Sequence, residues 1–199
     1  MAKETMEEFL DSLAARTPTP GGGAVAAITG AQAAALMSMV SAFTPNPDEI
    51  TKINQRANEA RKIFLQLVQQ DIDAFEKLMS AYKLKKGTED RESIVQSALT
   101  EAAEAPRAMM LLANSLIEDA SRLQKDGNQN LITDTAMAAV LLEATIKSAE
   151  YNILINLKSI KSDQYKQEIH ADIKRCRLNL AHLTEIAERI RRSMASDSC

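Results

Sequence analysis

Tryptophan is absent from this 199-residue chain, and aromatic residues together make up only 4% of it. Cysteine is almost absent too. Cys176 and Cys199 form neither a CxxC pair nor a disulfide framework, which fits a reducing, cytoplasmic setting. The two histidines, His170 and His182, stand twelve residues apart, with no cysteine at zinc spacing, so no metal site is expected. No G-x-S-x-G, P-loop or dinucleotide fingerprint occurs, which leaves little support for Ser-His or Cys-His nucleophilic chemistry. Basic charge is not in excess: the net charge is −3 and the pI near 5.5, so nucleic acid is not a favoured partner. The opening Met1-Ala2-Lys3-Glu4 does not read as a signal peptide.

Glycine and proline are scarce, at six and five residues, and most of them mark boundaries. No stretch alternates with period two, so an all-α protein is expected. At this length, with 45% hydrophobic residues, a single domain over residues 1–199 is the simplest organisation. Charge is missing altogether between Arg16 and Asp48. Residues 23–43 are long enough, at ~20 residues, to cross a bilayer. They are built from Ala, Ser, Gly and Met rather than Leu, Ile and Phe, and carry no Trp, Tyr or Lys/Arg anchors. A buried central helix is expected there rather than a membrane span.

About six mostly long helices can be drawn, in an up-and-down bundle. The first follows Thr5, where Thr5 and Glu8 fit a capping box. The second is the charge-free one, and Thr44-Pro45-Asn46-Pro47 ends it. Along it Ala26, Gly30, Ala34, Ser38 and Ala42 recur every four residues. This small-residue face suits close packing within the monomer or a symmetric helix pair across a dimer. The third helix runs from about Asp48 to Leu84. The fourth covers roughly Glu89 to Lys125, with Pro106 expected to kink or split it. It stops at Gly127, a good residue for the left-handed position after a helix. The fifth spans about Asp134 to Leu157 and the last about Asp163 to Met194, with a frayed tail from Ala195 to Cys199.

Three features stand out as candidate chemistry. Gly21-Gly22-Gly23 opens the charge-free helix, where the backbone needs φ > 0 or a close approach, and where the first turn offers unpaired N–H groups to an anion. An ordinary tight turn explains the same residues. On the third helix, Ile53, Ala57, Ala60, Phe64, Leu67, Asp71, Ala74, Leu78 and Ala81 step by four and three. Asp71 is the wrong residue for such a seam unless it is paired or used. On the fifth helix, Asp134, Asn152 and Asn156 share the side that should face the core, although Asp134 and Asn152 are ~27 Å apart at 1.5 Å per residue. Lys83, Lys85 and Lys86 close the third helix, either complementing its dipole or offering a landing site for an acidic ligand. Carboxylates and amides on buried faces beside a Gly-rich helix start suit proton transfer on a bound organic molecule.

The ordered blocks resemble one family. Phe9-Leu10 followed by Pro18-Thr19-Pro20-Gly21-Gly22-Gly23-Ala24-Val25-Ala26-Ala27 looks like the opening of the formiminotransferase-cyclodeaminase C-terminal domain family, which includes stand-alone bacterial methenyltetrahydrofolate cyclohydrolases. Asp71-Ile72-Asp73-Ala74-Phe75 with Ala81-Tyr82-Lys83-Leu84-Lys85-Lys86, then Pro106, Gly127-Asn128, Asp134 with Ala138-Ala139, and Asn152-Ile153-Leu154-Ile155-Asn156-Leu157 are similar to its later segments. The resemblance spans about residues 6 to 192. It implies an all-α homodimer acting on tetrahydrofolate one-carbon derivatives, with no tightly bound cofactor. The reaction is either ammonia loss from 5-formimino-tetrahydrofolate to give 5,10-methenyl-tetrahydrofolate, or hydrolysis of the latter to 10-formyl-tetrahydrofolate. A non-catalytic helical dimer that binds folate or a protein partner remains the contrasting class.

The family's catalytic aspartate falls on Asp71. By the same resemblance, Pro20, Gly21, Gly22 and Gly23 wall the site, with N–H groups near Gly22 and Gly23 holding the pterin or the reacting group. Asp134, Asn152 and Asn156 contact the pterin or support it, and Lys83, Lys86 and Lys158 attract the glutamate tail, which is polyglutamylated in some folates. Ala24 stands where the family commonly has Ser, and Lys85 where it commonly has Pro. No formiminotransferase domain is evident in the chain.

Overall fold

The computed structural model describes residues 5–45, 48–87 and 89–196. The opening Met1 to Glu4, Asn46 and Pro47 of the second helix's stop, and Cys199 lie outside the described residues. Among the described residues the fold has seven α-helices and one short 3-10 turn: α1 (Met6–Ala14), α2 (Gly22–Ala42), α3 (Asp48–Lys83), α4 (Arg91–Ser115), α5 (Ile117–Asp126), the 3-10 turn Gln129–Leu131, α6 (Ile132–Leu157) and α7 (Asp163–Ser196). No strand occurs among the described residues.

Local rules account for the ends of several elements. Thr5 Oγ1 accepts the Glu8 N–H at 3.2 Å, and Glu8 Oε2 accepts the Thr5 N–H at 2.7 Å, a complete capping box. Asn128 ties the far end of α2 to the α5–α6 connection. Its Nδ2 donates to Phe43 O at 2.8 Å, and its N–H donates to Thr44 Oγ1 at 2.9 Å.

Four helices, α2, α3, α4 and α6, form the centre. α2 packs between α3 and α6, and α4 lies against the same two helices from behind. Neighbours run antiparallel. The first turn of α2 meets Asp71, late in α3, and Gln96, early in α4, donates to Ser159 O just past the end of α6. α7 covers the outside of α6 and α5.

α2 has the length and hydropathy of a membrane span, yet it serves here as the central packing helix. Its small-residue row is buried within the chain from Ala26 through Gly30 to Ala34, while Ser38 is half-buried and Ala42 exposed. A Cβ at Gly30 would sit 2.5 Å from the Phe64 ring, so glycine is what lets α3 approach. The seam of α3 is buried as its periodicity implies, from Ile53 through Ala81, with Asp71 partly open.

Several expectations are corrected. Pro106 lies inside α4, and the break comes ten residues later, at Leu116. Gly127 is extended at φ −74° rather than left-handed; a Cβ there would come 2.3 Å from Leu123 O, so close approach is what demands glycine. Where α7 docks on α6, Arg177 pairs with the buried Glu150, while Lys147 on the same side stays exposed. Along α7 the buried line shifts from Ile169, Ile173 and Cys176 to Leu183, Ile186 and Ile190, leaving Met194 half exposed. A straight helix with 3.6 residues per turn drifts off a strict heptad, which accounts for the shift.

Candidate active site

The site lies at one end of the central bundle, where the N-terminus of α2 faces the later halves of α3 and α6 and the early part of α4. A cavity of about 450 Å³ opens there. Pro18, Thr19 and the three glycines form one wall, and Asp71, Phe75, Leu78, Met79 and Tyr82 form a second. Leu99 and Ala102 of α4, with Asn152, Ile155, Asn156 and Ser159, complete it.

Asp71 sits against the start of α2 so closely that Gly23 has no room for a side chain. A Cβ on Gly23 would lie 2.2 Å from Asp71 Oδ1. Gly21 is extended, at φ −135°, and the first turn of α2 contains no positive φ. The alternative left open by the glycines therefore resolves as close approach. The Ala24 N–H faces the Asp71 carboxylate and favours its ionised form. An anion does sit at this helix terminus, and it is the protein's own. Val25 N–H bonds Gly21 O at 3.1 Å, and the N–H groups of Gly22 and Gly23 meet no acceptor among the described residues.

Burial raises the Asp71 pKa from 3.8 to about 6, with the Ala24 N–H pulling the other way. No Lys, Arg or His is paired with it among the described residues. A carboxyl poised near neutrality at the edge of a cavity can both take and return a proton. Around it, Phe75, Leu78, Met79, Leu99 and Ile155 are apolar, Tyr82 adds a partly exposed ring, and two amides supply polar contacts. This composition suits a flat organic ligand with a few oriented hydrogen bonds. Among the described residues, no group of three or more His, Cys, Asp or Glu side chains is arranged to hold a metal ion.

The fold brings together Asp71, Gly21, Gly22, Gly23, Asn152 and Asn156. Pro20 lies between two lining residues without lining the cavity itself. Lys83 and Lys158 are exposed and adjoin the lining residues Tyr82 and Ser159; Lys86 is exposed beyond the end of α3. Asp134 is not brought in. It stays in the first turn of α6, at the end of that helix opposite Asn152, because a straight helix keeps residues on one azimuth far apart.

Phe75, Met79 and Tyr82 were not singled out from the sequence as site residues. A signal existed: stepping from Asp71 by four, three and four gives Phe75, Leu78 and Tyr82 on one face of α3. A larger groove, about 610 Å³, runs between α5 and α7 along Glu118, His182, Glu185 and Arg189. Arg189 pairs with Glu185 at the surface, and the groove holds no buried, unpaired acid or base.

A family profile described as formiminotransferase-cyclodeaminase matches residues 5–175. The chain belongs to this family. A methenyltetrahydrofolate cyclohydrolase from Methylorubrum extorquens is 33% identical over 176 residues, covering 83% of this chain and 85% of that protein. The mouse formimidoyltransferase-cyclodeaminase is 30% identical over 177 residues, but those cover 83% of this chain and only 33% of the mouse protein. The crystal structure of a formiminotetrahydrofolate cyclodeaminase from Thermotoga maritima superposes with a TM-score of 0.88 at 32% identity, covering 98% of both chains. The chain is thus placed among enzymes of folate one-carbon chemistry of the cyclodeaminase and cyclohydrolase kind.

Proposed function

We propose that this protein converts 5-formimino-tetrahydrofolate to 5,10-methenyl-tetrahydrofolate with release of ammonia. The observation that carries the reading is Asp71, a carboxyl without a cationic partner, held on a helix terminus inside the cavity with its pKa raised to about 6. N10 of the folate adds to the carbon of the formimino group, whose nitrogen is protonated, and the N10 proton passes to the Asp71 carboxylate. The protonated Asp71 then returns that proton to the departing nitrogen, which leaves as ammonia. The N5–carbon–N10 bridge remains as the methenyl cation. One group serves both steps because its pKa lies close to the working pH. Phe75, Met79 and Tyr82 face the ring system, and Lys83, Lys86 and Lys158 lie on the side where an anionic glutamate tail emerges.

A second reading, hydrolysis of the methenyl compound to 10-formyl-tetrahydrofolate, is favoured by the Methylorubrum relative, which matches this chain over most of both lengths. It uses the same acid/base, with water in place of N10 as the nucleophile at the bridging carbon. The protein is incubated separately with 5-formimino- and 5,10-methenyl-tetrahydrofolate while the methenyl absorbance is followed. A rise in the first assay supports the cyclodeaminase, a fall in the second supports the cyclohydrolase, and no change in either sinks both.

A homodimer is part of the proposal. The outward side of α2, including Val25, Gln32, Ala35 and Phe43, is exposed and uncharged along the whole helix. Sedimentation at micromolar concentration, with Val25→Glu as the disrupting variant, tests it; a monomeric wild type rules it out.

A further inference from the structure

Pro106 does not break α4, and what it does instead reaches the cavity. In a regular helix the N–H of residue 106 would bond the carbonyl of Ala102. Proline has no N–H, and its ring crowds that same carbonyl. A carbonyl freed in the interior needs another donor. Ala102 O finds one across the bundle, accepting Asn156 Nδ2 of α6 at 3.1 Å. The same nitrogen donates to Asn152 O at 3.0 Å.

Both hydrogens of the Asn156 amide are therefore committed to backbone carbonyls. Only an NH2 group can face two carbonyl oxygens, so the identity of the amide atoms follows from the contacts. The amide is planar and Asn156 lines the cavity, so the atom it turns away from the backbone, toward the open space, is Oδ1. Asn152 repeats the arrangement one turn earlier, its Nδ2 donating to Ser148 O at 2.9 Å. Neither Oδ1 accepts a hydrogen bond from any described residue.

We infer that Pro106 is a positioning residue for the site: by freeing the Ala102 carbonyl to hold the Asn156 amide nitrogen, it turns Asn156 Oδ1 into the cavity as an acceptor, so that the site selects a ligand edge carrying N–H donors. The choice of ligand rests on the folate reading above. On that reading the donor edge is the 2-amino and N3–H edge of the pterin, and the acceptor pair Asn152–Asn156 recognises it. The proline acts from one turn farther along α4, through the backbone, and does not itself line the cavity.

The test compares tetrahydrofolate with its 2-deamino-2-methyl counterpart, measured by titration calorimetry on wild type, Asn156→Ala and Pro106→Ala. Wild type is expected to prefer the 2-amino compound by about tenfold, the size of one lost hydrogen bond. Asn156→Ala should lose most of that preference. In Pro106→Ala the helix regains its own bond to Ala102 O, so the preference should fall to within about twofold while the thermal midpoint is unchanged or raised. In turnover, Pro106→Ala should raise KM with little change in kcat. A merely structural proline predicts an altered midpoint and an unchanged preference, and that result overturns its positioning role. Equal binding of the two compounds by wild type overturns the acceptor assignment while leaving the folate reading intact. Binding of neither compound overturns both.

Discussion

Asp71 and Asp172 are acids set into the same helical bundle, and they are treated in opposite ways. Asp172, on α7, is buried, and Arg107 Nε meets its Oδ2 at 2.9 Å while Arg175 Nη2 meets its Oδ1 at 2.8 Å. Asp119 is held by Arg56 through both oxygens, at 2.9 and 2.5 Å, and Glu150 is held by Arg177 in the same two-pronged way. Arg107–Asp172, Arg56–Asp119 and Arg177–Glu150 each join two different helices, while Arg175 reaches Asp172 from within α7. Asp71 faces one backbone N–H and no cation, and burial raises its pKa. Compensated carboxylates hold the bundle together; the uncompensated one sits in the cavity. Burial alone does not mark a functional acid. Burial with its partner withheld does, because the protein tolerates that cost where the proton is used.

The comparison is tested most severely by Asp71→Asn, which keeps the shape and removes the titration. A positioned acid/base is worth ~10²–10⁴-fold, so kcat/KM should drop by that much with the fold intact. The same variant should be more stable than wild type at neutral pH. A carboxyl whose pKa is raised in the folded state contributes stability below its unfolded value. That contribution is lost as pH rises through the folded value. Wild type should therefore lose stability between pH 3.8 and about 6 where Asp71→Asn does not. The rise corresponds to about 3 kcal/mol at neutral pH, read by chemical denaturation across pH. If Asp71→Asn is less stable at pH 7, Asp71 belongs with the structural acids.

Gly23→Ala comes next. Its methyl group would occupy the place of the carboxylate, and a shift of about 1 Å at a reacting group can cost ~10²-fold. kcat should fall with the thermal midpoint nearly unchanged. Asp172→Ala should show the converse, a loss of about 3 kcal/mol in unfolding free energy with kcat/KM per folded molecule unchanged, because it leaves the largely buried Arg107 with only its 3.3 Å contact to Glu104. The wild-type pH–rate profile should show an acidic limb with its midpoint near the Asp71 value of about 6. The smallest effect is expected from Phe75→Ala, which removes a wall without touching the proton path. KM should rise about tenfold, with kcat nearly constant.

Much of this was legible in the residues. The four-three stepping of α3 and the absence of charge in α2 are local patterns set by side-chain burial, and they placed both helices within a few residues. Asp71 stood out because a carboxylate interrupted an apolar seam. The glycines were legible as a close approach or a turn, but which of the two depended on what came near. Pro106 does not end α4, and the residues around it do not show why, because the donor for the freed Ala102 carbonyl comes from Asn156 on another helix. Asp134 and Asn152 shared an azimuth that the periodicity showed, yet only one of them faces the cavity, because the cavity occupies one end of the bundle.

The sequence by itself determined the helices, their apolar faces and one acid out of place, since each follows from periods of three to four residues along a single chain. Only the tertiary structure decided that this acid would rest on the first turn of α2, that Gly23 would make room for it, and that Asn156 would turn its oxygen inward under the hold of Ala102. Those contacts join residues about fifty positions apart or belong to different helices, and no local period encodes which helix end meets which.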